Sequence, residues 1–309
     1  MVRRALFFAL AAAALLPWVP TWAALLTGLA FGLFVEHPFP TQAKQAQTYL
    51  LQASVVGLGA AMNLGVVVKV GLSGVGQTLF AIVSTLLVTL GLSKLLGTER
   101  ITSLLIGVGT AICGGSAIAA VAPAIGAKSH QTSVALAVVF LLNAVALVVF
   151  PPIGHAFELT PNAFGLWSAL AIHDTSSVVG ASMQFGETAL QVGTTVKLTR
   201  ALWIVPLTLV LARLVKSEDG TKETKKPWFI LGFLLMAALV TWVPALADTG
   251  QLVARVARQV LVLTLFLIGA SVNRAALKAV GVRPLVLGVV LWLLVSVTTL
   301  GLIRAGVLS

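Results

Sequence analysis

Residues 101–127 have the sequence ITSLLIGVGTAICGGSAIAAVAPAIGA, an apolar stretch with two consecutive glycines, Gly114 and Gly115, at its centre. Each glycine inside a helix costs about 1 kcal/mol relative to alanine, and nothing about spanning lipid rewards that cost. We therefore expect a helix that is interrupted in the middle of the membrane. Such a break is tolerated only where protein or water satisfies the freed backbone groups. The stretch thus indicates a buried site as well as a membrane helix.

A second interrupted stretch has polar residues at its centre. Residues 163–186, AFGLWSALAIHDTSSVVGASMQFG, carry the run His-Asp-Thr-Ser-Ser at 173–177. Asp, Ser and Thr favour helix N-caps over helix interiors. A helix that restarts there points its N–H groups and the positive end of its dipole towards the midplane, where they form an anion site. The two stretches together predict two discontinuous helices, each interrupted near the membrane centre.

The composition of the whole chain excludes a water-soluble globular protein. Of 309 residues, 59% are hydrophobic and 9% are charged, whereas a soluble domain carries about 25% charged residues. Eleven spans of about 20 residues would use roughly 220 positions and leave no room for a catalytic domain outside the bilayer. We expect an all-α polytopic membrane protein with about 11 transmembrane helices, at residues 5–17, 21–35, 46–68, 75–96, 101–127, 130–150, 163–186, 189–213, 228–247, 251–272 and 282–305.

These spans are expected to form a single transmembrane transporter domain over residues 1–309. Residues 1–20 would be a peripheral first helix, and residues 214–227 a cytoplasmic loop between two halves of the chain. An apolar run after Arg3 and Arg4 is also typical of a signal peptide. Here it leads into more membrane sequence and not into a small-residue cleavage site, so we expect it to be retained.

The basic charge of the chain predicts its orientation. A net charge of +11 would suggest nucleic-acid binding in a soluble protein. In a membrane protein it reflects the excess of Lys and Arg in cytoplasmic loops, and we expect no nucleic-acid partner. With the N-terminus inside and the C-terminus outside, 13 of these residues lie on the inner side and five on the outer side, namely Lys69, Lys128, Arg255, Arg258 and Arg304.

Two internal echoes suggest repeats. The pattern Gly-Ala-x-x-Asn occurs at residues 59–63 and again at 269–273. These lie on the third and tenth spans, which would run in opposite directions, as an inverted repeat of a secondary transporter requires. A second echo, Ala-Ile-x-x-x-Ser, pairs residues 111–116 with 171–176. Its two copies count as parallel, so this echo does not fit the inversion.

Three ionisable residues, Asp174, Lys197 and Arg200, lie well inside predicted spans. Such charges cost at least about 2.5–3.5 kcal/mol at the centre of a membrane helix and usually have a function. Lys197 and Arg200 share a helix face with Thr194, so they can converge on one oxyanion. In the alternative, Asp174 neutralises one of these cations in a buried structural pair.

The uncharged polar residues leave similar alternatives open. His173 beside Asp174 is a plausible proton relay or a hydrogen-bonded core residue. Asn63, Asn143 and Asn273 are each expected to bond between helices, although the repeated Asn63 and Asn273 are better ligand candidates than Asn143.

Several chemistries lack their motifs. The sequence has no Gly-x4-Gly-Lys-Ser/Thr loop for a nucleotide, no His-Glu-x-x-His pair and no Gly-x-Ser-x-Gly elbow. One cysteine, Cys113, excludes a cluster built on cysteines. We therefore expect a gradient-driven protein that is not an enzyme and has no metal or bound cofactor, apart from coupling to protons or sodium.

Three motifs in order resemble a known family. CGGSAIAAVAP at residues 113–123, HDTSSVVGA at 173–181 and VKLTR at 196–200, with Asn63 in its Gly-Ala-x-x-Asn context, resemble the YeiH-like family of bacterial inner-membrane proteins, described as sulfate exporters. The resemblance implies a fold related to the cation/proton antiporter and anion transporter superfamily, in which discontinuous helices cross near the membrane centre. It also implies a homodimer in the bacterial inner membrane, in which a substrate-carrying bundle moves against a scaffold in an elevator-like mechanism.

We therefore expect a gradient-driven secondary transporter of a small inorganic or organic anion, with a sulfate-like oxyanion favoured by the resemblance. Two alternatives stay open, a cation/proton antiporter that uses Asp174 and a non-transporting membrane scaffold or sensor. His173 and Asp174 would couple proton or sodium movement to transport. The expected anion-binding residues are Gly114, Gly115, Ser116, Thr175, Ser176, Ser177, Lys197, Arg200, Asn63 and Asn273.

Overall fold

The structure is a computed structural model that describes residues 2–35, 37–65, 68, 75–215, 228–271 and 281–308. These residues are almost entirely helical, and they contain no strand, which confirms the all-α prediction. The helices are α1 (Val2–Ala13), α2 (Thr21–Phe34), α3 (Pro40–Gly59), α4 (Val75–Leu96), α5 (Arg100–Ala111), α6 (Gly115–Ala124), α7 (Ser129–Ala156), α8 (Pro161–Ala171), α9 (Thr175–Phe185), α10 (Glu187–Leu202), α11 (Ile204–Leu214), α12 (Trp228–Trp242), α13 (Ala247–Ser271) and α14 (Val282–Arg304).

Five helical segments are long and apolar enough to cross a membrane. They include the continuous pair α10 and α11, and their bounds are Gly76–Leu96, His130–Ala156, Glu187–Leu214, Ala247–Ser271 and Val282–Arg304. The protein is therefore a membrane protein by composition and helix length. Several other apolar helices have 10 to 17 residues, so the described helices do not confirm a count of eleven spans.

Contacts divide the described helices into two compact units. Unit 1 contains α1 to α3, α12 and α13, whereas unit 2 contains α4 to α11 and α14. Of the predicted loop at 214–227, residues 216–227 lie outside the described residues.

Unit 1 is held together by close backbone contacts at glycines. A Cβ on Gly59 would lie 2.5 Å from the carbonyl oxygen of Phe233, and a Cβ on Gly269 would lie 2.4 Å from that of Leu25. Only glycine allows helices to approach so closely. These two glycines begin the two copies of the Gly-Ala-x-x-Asn motif. One therefore packs α3 on α12, and the other packs α13 on α2.

The first helix packs onto the rest of unit 1. Phe7 of α1 and Ala14, which directly follows this helix, are buried in an apolar cluster that includes Phe31 of α2 and Phe266 of α13. The Phe7 ring centroid lies 5.7 Å from that of Phe31 and 5.8 Å from that of Phe266. The apolar face of α1 thus belongs to the core of this unit.

Helices α5 and α6 of unit 2 form a hairpin, named hairpin 1. A Cβ on Gly109 of α5 would lie 2.9 Å from Cδ1 of Ile118 in α6, so the helices pack side by side. Before α5, the carboxylate of Glu99 accepts a hydrogen bond from Nε2 of Gln131 in the first turn of α7. The chain that precedes hairpin 1 and the chain that follows it therefore lie on the same side of unit 2, the hairpin-1 side.

Helices α8 and α9 form a second hairpin, named hairpin 2. The rings of Phe164 and Phe185, near its two ends, stack with 3.9 Å between centroids. Further along, the hydroxyl oxygens of Ser168 and Ser182 lie 2.9 Å apart. The chain thus enters and leaves hairpin 2 on one side as well, the hairpin-2 side.

The two hairpins enter unit 2 from opposite sides. Helix α7 has 28 residues, a length of about 42 Å, and connects them. Its first turn contains Gln131, bonded to Glu99. Near its end, a Cβ on Gly154 would lie 2.4 Å from the ring of Phe164. The four hairpin helices have 10 to 12 residues each, so they are about 15–18 Å long and reach half-way through a hydrocarbon core of about 30 Å.

This arrangement corrects the expectation that residues 101–127 and 163–186 each cross the membrane. The breaks occur where they are predicted, but the chain reverses direction at each break, so the helices meet there and do not cross. It also changes the interpretation of the repeated Ala-Ile-x-x-x-Ser pattern. Ala111 and Ala171 are the last residues of α5 and α8, so the echo marks equivalent turns of oppositely directed hairpins. Lys128 consequently lies on the same side as Arg100 and not on the opposite side.

Candidate functional site

The turns of the two hairpins touch in the middle of unit 2. We name them tip 1 (residues 112–114) and tip 2 (residues 172–174). A Cβ on Gly114 would lie 3.4 Å from both N and Cα of Asp174 and 3.3 Å from Cγ1 of Val139 in α7. Gly114 also has a φ of +64°, which side chains other than glycine rarely adopt. A glycine is therefore needed both for the turn and for the contact between the tips.

Tip 1 leads into a helix whose N-terminus has no side-chain cap. Gly114 is the N-cap of α6, and no side chain of the described residues bonds to the first N–H groups of this helix. The hydroxyl of Ser116 donates to the carbonyl of Cys113 at 3.0 Å, and the Ser116 side chain is exposed. Uncapped N–H groups and the helix dipole favour a negative charge at this position.

Tip 2 leads into a helix that is capped by its own carboxylate. Oδ2 of Asp174 accepts hydrogen bonds from the backbone N–H groups of Ser176 at 3.1 Å and Ser177 at 3.3 Å, and also from the Ser176 hydroxyl. Thr175, Ser176 and Ser177 are buried, while Asp174 is partly exposed. The position that an anion would take at the start of α9 is thus occupied by Asp174.

The two intramembrane cations, Lys197 and Arg200, bind the C-terminal ends of the hairpin helices. Nη1 of Arg200 donates to the carbonyls of Ala169 and Leu170 at 2.8 Å each, and Nη2 donates to the carbonyl of Ala111. Arg200 therefore links hairpin 2 to hairpin 1. These carbonyls have no partner within their own helices, and the C-terminal end of a helix dipole favours a positive charge.

The second cation bonds to hairpin 2 alone. Nζ of Lys197 donates to the carbonyls of Ile172 at 2.6 Å and Ala169 at 3.2 Å. Lys197 and Arg200 are 0% and 1% exposed. Within the described residues, neither forms a salt bridge with Asp174, so the structure does not show the buried ion pair that the sequence left open.

A residue that the sequence analysis ranked low, Asn143, lies at the tips. Its Oδ1 accepts hydrogen bonds from the backbone N–H groups of His173 at 3.1 Å and Asp174 at 3.2 Å. His173 itself is 1% exposed, and its ring nitrogens have no partner among the described residues. A polar amide inside a long apolar helix was the available signal, but only the contacts between helices distinguish it from an ordinary helix–helix bond.

The repeated asparagines lie elsewhere or outside the described part. Asn63 belongs to unit 1, where its Oδ1 accepts a hydrogen bond from the N–H of Gly65 at 2.9 Å. Asn273 lies outside the described residues. Their share in an anion site stays a prediction. Among the described residues, no group of three or more His, Cys, Asp or Glu side chains could hold a metal ion.

The charges around the tips favour an anion. Two buried cations and one carboxylate meet there, which leaves one positive charge when all three are ionised. The helix dipoles add no net charge, because the N-termini of α6 and α9 and the C-termini of α5 and α8 all lie at the tips. A small anion at the uncapped start of α6 would neutralise the excess.

The chain matches a known family over most of its length. A family model described as "Conserved hypothetical protein 698" matches residues 7–288. A UPF0324 membrane protein of Bdellovibrio bacteriovorus is 55% identical over 94% of this chain and 90% of its own. Another from Geobacter sulfurreducens is 52% identical over 97% and 96%, and one from Bacteroides thetaiotaomicron is 46% identical over 93% and 87%. No solved structure matches the chain.

Proposed function

Since the chain belongs to the Conserved hypothetical protein 698 family of membrane proteins, we propose that it is a gradient-driven secondary transporter of a small anion. The observation that carries this proposal is the meeting of two oppositely directed hairpins at tips surrounded by two buried cations. The anion binds at the start of α6, held by the first N–H groups of that helix and the Ser116 hydroxyl. Arg200 links the two hairpins, Lys197 bonds to hairpin 2, and both side chains supply a positive field.

The same contacts weigh against a cation/proton antiporter. A sodium site at a broken helix is built from freed backbone carbonyls. Here the carbonyls of Ala111, Ala169, Leu170 and Ile172 already accept hydrogen bonds from Arg200 or Lys197. The two fixed cations beside these carbonyls repel a sodium ion, whereas they attract an anion.

The hairpins also provide a route for alternating access. We propose that hairpin 1 with α7 and hairpin 2 with α10 and α11 form an inverted repeat, a proposal supported by the entry of the two hairpins from opposite sides of unit 2. Each hairpin can open the site to its own side. Asp174 is the only carboxylate at the tips within the described residues, so it would couple proton movement to anion release. A sulfate-like substrate, an elevator-like motion, a homodimer and an inner-membrane location follow from the resemblance to YeiH-like proteins.

Ligand-dependent stabilisation of the purified protein tests the proposal. Sulfate, sulfite, thiosulfate, taurine, hydrogencarbonate, small carboxylates, sodium and lithium are compared as additives during thermal unfolding. A ligand at 100 times its dissociation constant stabilises by about 2.7 kcal/mol. We expect one class of anion to raise the melting temperature, and we expect Ser116→Ala to weaken this effect. Ser84→Ala, a hydroxyl on α4 that bonds only within its own helix, is the matched control.

Asp174→Asn then separates anion transport from the alternatives, since asparagine also caps helices. For an anion transporter, anion binding survives in this variant and the pH dependence of flux in proteoliposomes is lost. For a cation/proton antiporter, all ion binding is lost. Stabilisation by sodium or lithium alone, or the absence of any flux in the wild type and all variants, would contradict the proposal.

A further inference from the structure

Asn143 lies on the face of α7 that contacts both tips. One turn earlier on this face, Val139 packs against Gly114, and Phe140 packs against Gly115, where a Cβ would lie 2.8 Å from the Phe140 ring. Asn143 continues the face and bonds to tip 2 through the N–H groups of His173 and Asp174. Its amide is therefore placed where tip 1, tip 2 and α7 meet.

The chemistry of these contacts fixes the orientation of the amide. Both partners of Asn143 at tip 2 are backbone N–H groups, so the side-chain atom that faces them must be the carbonyl oxygen. Nδ2 is bonded to the same carbon and lies beside Oδ1. The two N–H donors of the amide consequently lie next to the contact with tip 2 and cannot exchange places with the oxygen.

These donors have no acceptor within the described protein. Asn143 is 3% exposed, and its Nδ2 has no hydrogen-bond partner. Buried polar groups are nearly always paired, and an unpaired one in a native structure calls for an explanation. The neighbouring carbonyls of Ala169, Leu170 and Ile172 accept hydrogen bonds from Arg200 or Lys197, and none of them accepts one from Nδ2 of Asn143.

We infer that Asn143 is a substrate-binding residue that donates a hydrogen bond from Nδ2 to an oxygen of the anion. This inference rests on the proposed anion transport and deepens it. A pair of N–H donors selects a ligand that offers lone pairs. The substrate class is therefore an oxyanion whose oxygens at this position are unprotonated, as all four are in sulfate. An anion that must donate an O–H to this residue is disfavoured.

Asn143→Asp tests the inference with little change of shape. The aspartate keeps an oxygen for the N–H groups of tip 2 and replaces the two donors by a negatively charged acceptor. We expect sulfate affinity, measured by titration calorimetry on the purified protein, to fall by about tenfold or more. Hydrogencarbonate, which can donate its hydroxyl to the new carboxylate, should lose less affinity than sulfate. The melting temperature without ligand should change less than in Asn143→Ala, which removes the bond to tip 2 as well.

Gln184→Glu is the matched control for this substitution. Gln184 is an amide on α9 whose Nε2 already donates to the carbonyl of Gly180 at 3.1 Å. The Gln184→Glu substitution should leave the affinity for sulfate unchanged. Unchanged affinity and selectivity in Asn143→Asp, with sulfate binding intact in the wild type, would overturn the inference alone. If the wild type binds no oxyanion of the panel, the proposed function fails and the inference fails with it.

Discussion

Gly114 combines a left-handed backbone with a tight contact, and its substitution tests the tip arrangement. We expect Gly114→Ala to destabilise the protein by about 1–3 kcal/mol, because alanine at positive φ is strained and its Cβ would press on Val139 and Asp174. Gly91→Ala in α4, where a Cβ meets nothing within 4 Å, should be neutral or stabilising by up to about 1 kcal/mol. Thermal unfolding of both variants checks this. Equal effects would show that the tips do not touch.

Arg200 supports three carbonyls on two hairpins, and a lysine cannot replace it. An ammonium group lacks the planar fork that reaches Ala111 and the end of α8 together. We expect Arg200→Lys to lower stability by about 2–4 kcal/mol, since buried carbonyls lose charged donors. Arg213→Lys on the exposed side of α11 is the control in the same unfolding assay. A melting temperature equal to that of the control would contradict the role of Arg200 in linking the two hairpins.

Glu99 predicts how stability depends on pH at the base of hairpin 1. Hydrogen bonds from Thr102 and Gln131 lower the pKa of the Glu99 carboxyl below its usual value. A carboxyl with a lowered pKa stabilises the fold above its unfolded pKa of about 4.3, and this stability is lost as the pH falls through the folded value. We expect Glu99→Gln to be less stable than the wild type at pH 7, with the difference shrinking below about pH 4.

The control for this series is Glu158→Gln, at an exposed position on the hairpin-2 side. Melting temperatures between pH 3 and pH 8 are compared for the three proteins. Parallel curves for the wild type and Glu99→Gln would show that this carboxylate contributes nothing to the base of the hairpin.

At the scale of residues, the sequence predicts which residues are functional candidates, but it predicts their contacts less well. Lys197 and Arg200 are predictable because charges inside an apolar span are costly. Their partners are backbone carbonyls. Every residue has one, so the residue types in the sequence do not indicate which carbonyls will be bound. Asn143 is harder to recognise for the same reason, since its bonds go to main-chain N–H groups of a turn that lies 30 residues later in the chain.

At the scale of elements, the reversal of the two hairpins makes a prediction about accessibility. In a background with Cys113→Ala, single cysteines replace Arg100 or Lys128. Both residues are exposed, Arg100 where the chain enters hairpin 1 and Lys128 where it leaves. Both should react with a membrane-impermeant maleimide from the same side of the membrane. Cysteines in place of Glu158 or Glu187, around hairpin 2, should both react from the other side. If the two cysteines of either pair react from opposite sides, the chain crosses the membrane between them and does not reverse direction.

The sequence predicts the breaks but not the reversals. An apolar stretch of 27 residues has the length of a complete span, and two glycines or a capping run interrupt a helix in either case. The direction after the break depends on contacts between distant residues, such as Glu99 with Gln131 and Phe164 with Phe185. These pairs are polar or aromatic residues of ordinary types, so a single sequence does not single them out.

At the scale of the molecule, the charges of unit 2 predict its orientation. Among its described residues, Lys94, Arg100, Lys128, Arg213 and Arg283 lie towards the hairpin-1 side, and Arg304 lies on the hairpin-2 side, where it covers the ring of Phe157. The excess of Lys and Arg marks the cytoplasmic side. In intact cells we therefore expect the cysteines at 100 and 128 to be protected from the maleimide and those at 158 and 187 to react. The reverse pattern would refute this orientation.

The unequal anchoring of the two tips has a mechanical consequence. Tip 2 and the end of α8 are fastened by Lys197, by both bonds from Nη1 of Arg200 and by Asn143, whereas α5 is fastened to the same guanidinium only through Ala111. A motion that separates the tips therefore breaks fewer of these hydrogen bonds if hairpin 1 moves than if hairpin 2 moves. For the proposed transport, we therefore expect hairpin 1, on the side rich in Lys and Arg, to move more readily than hairpin 2.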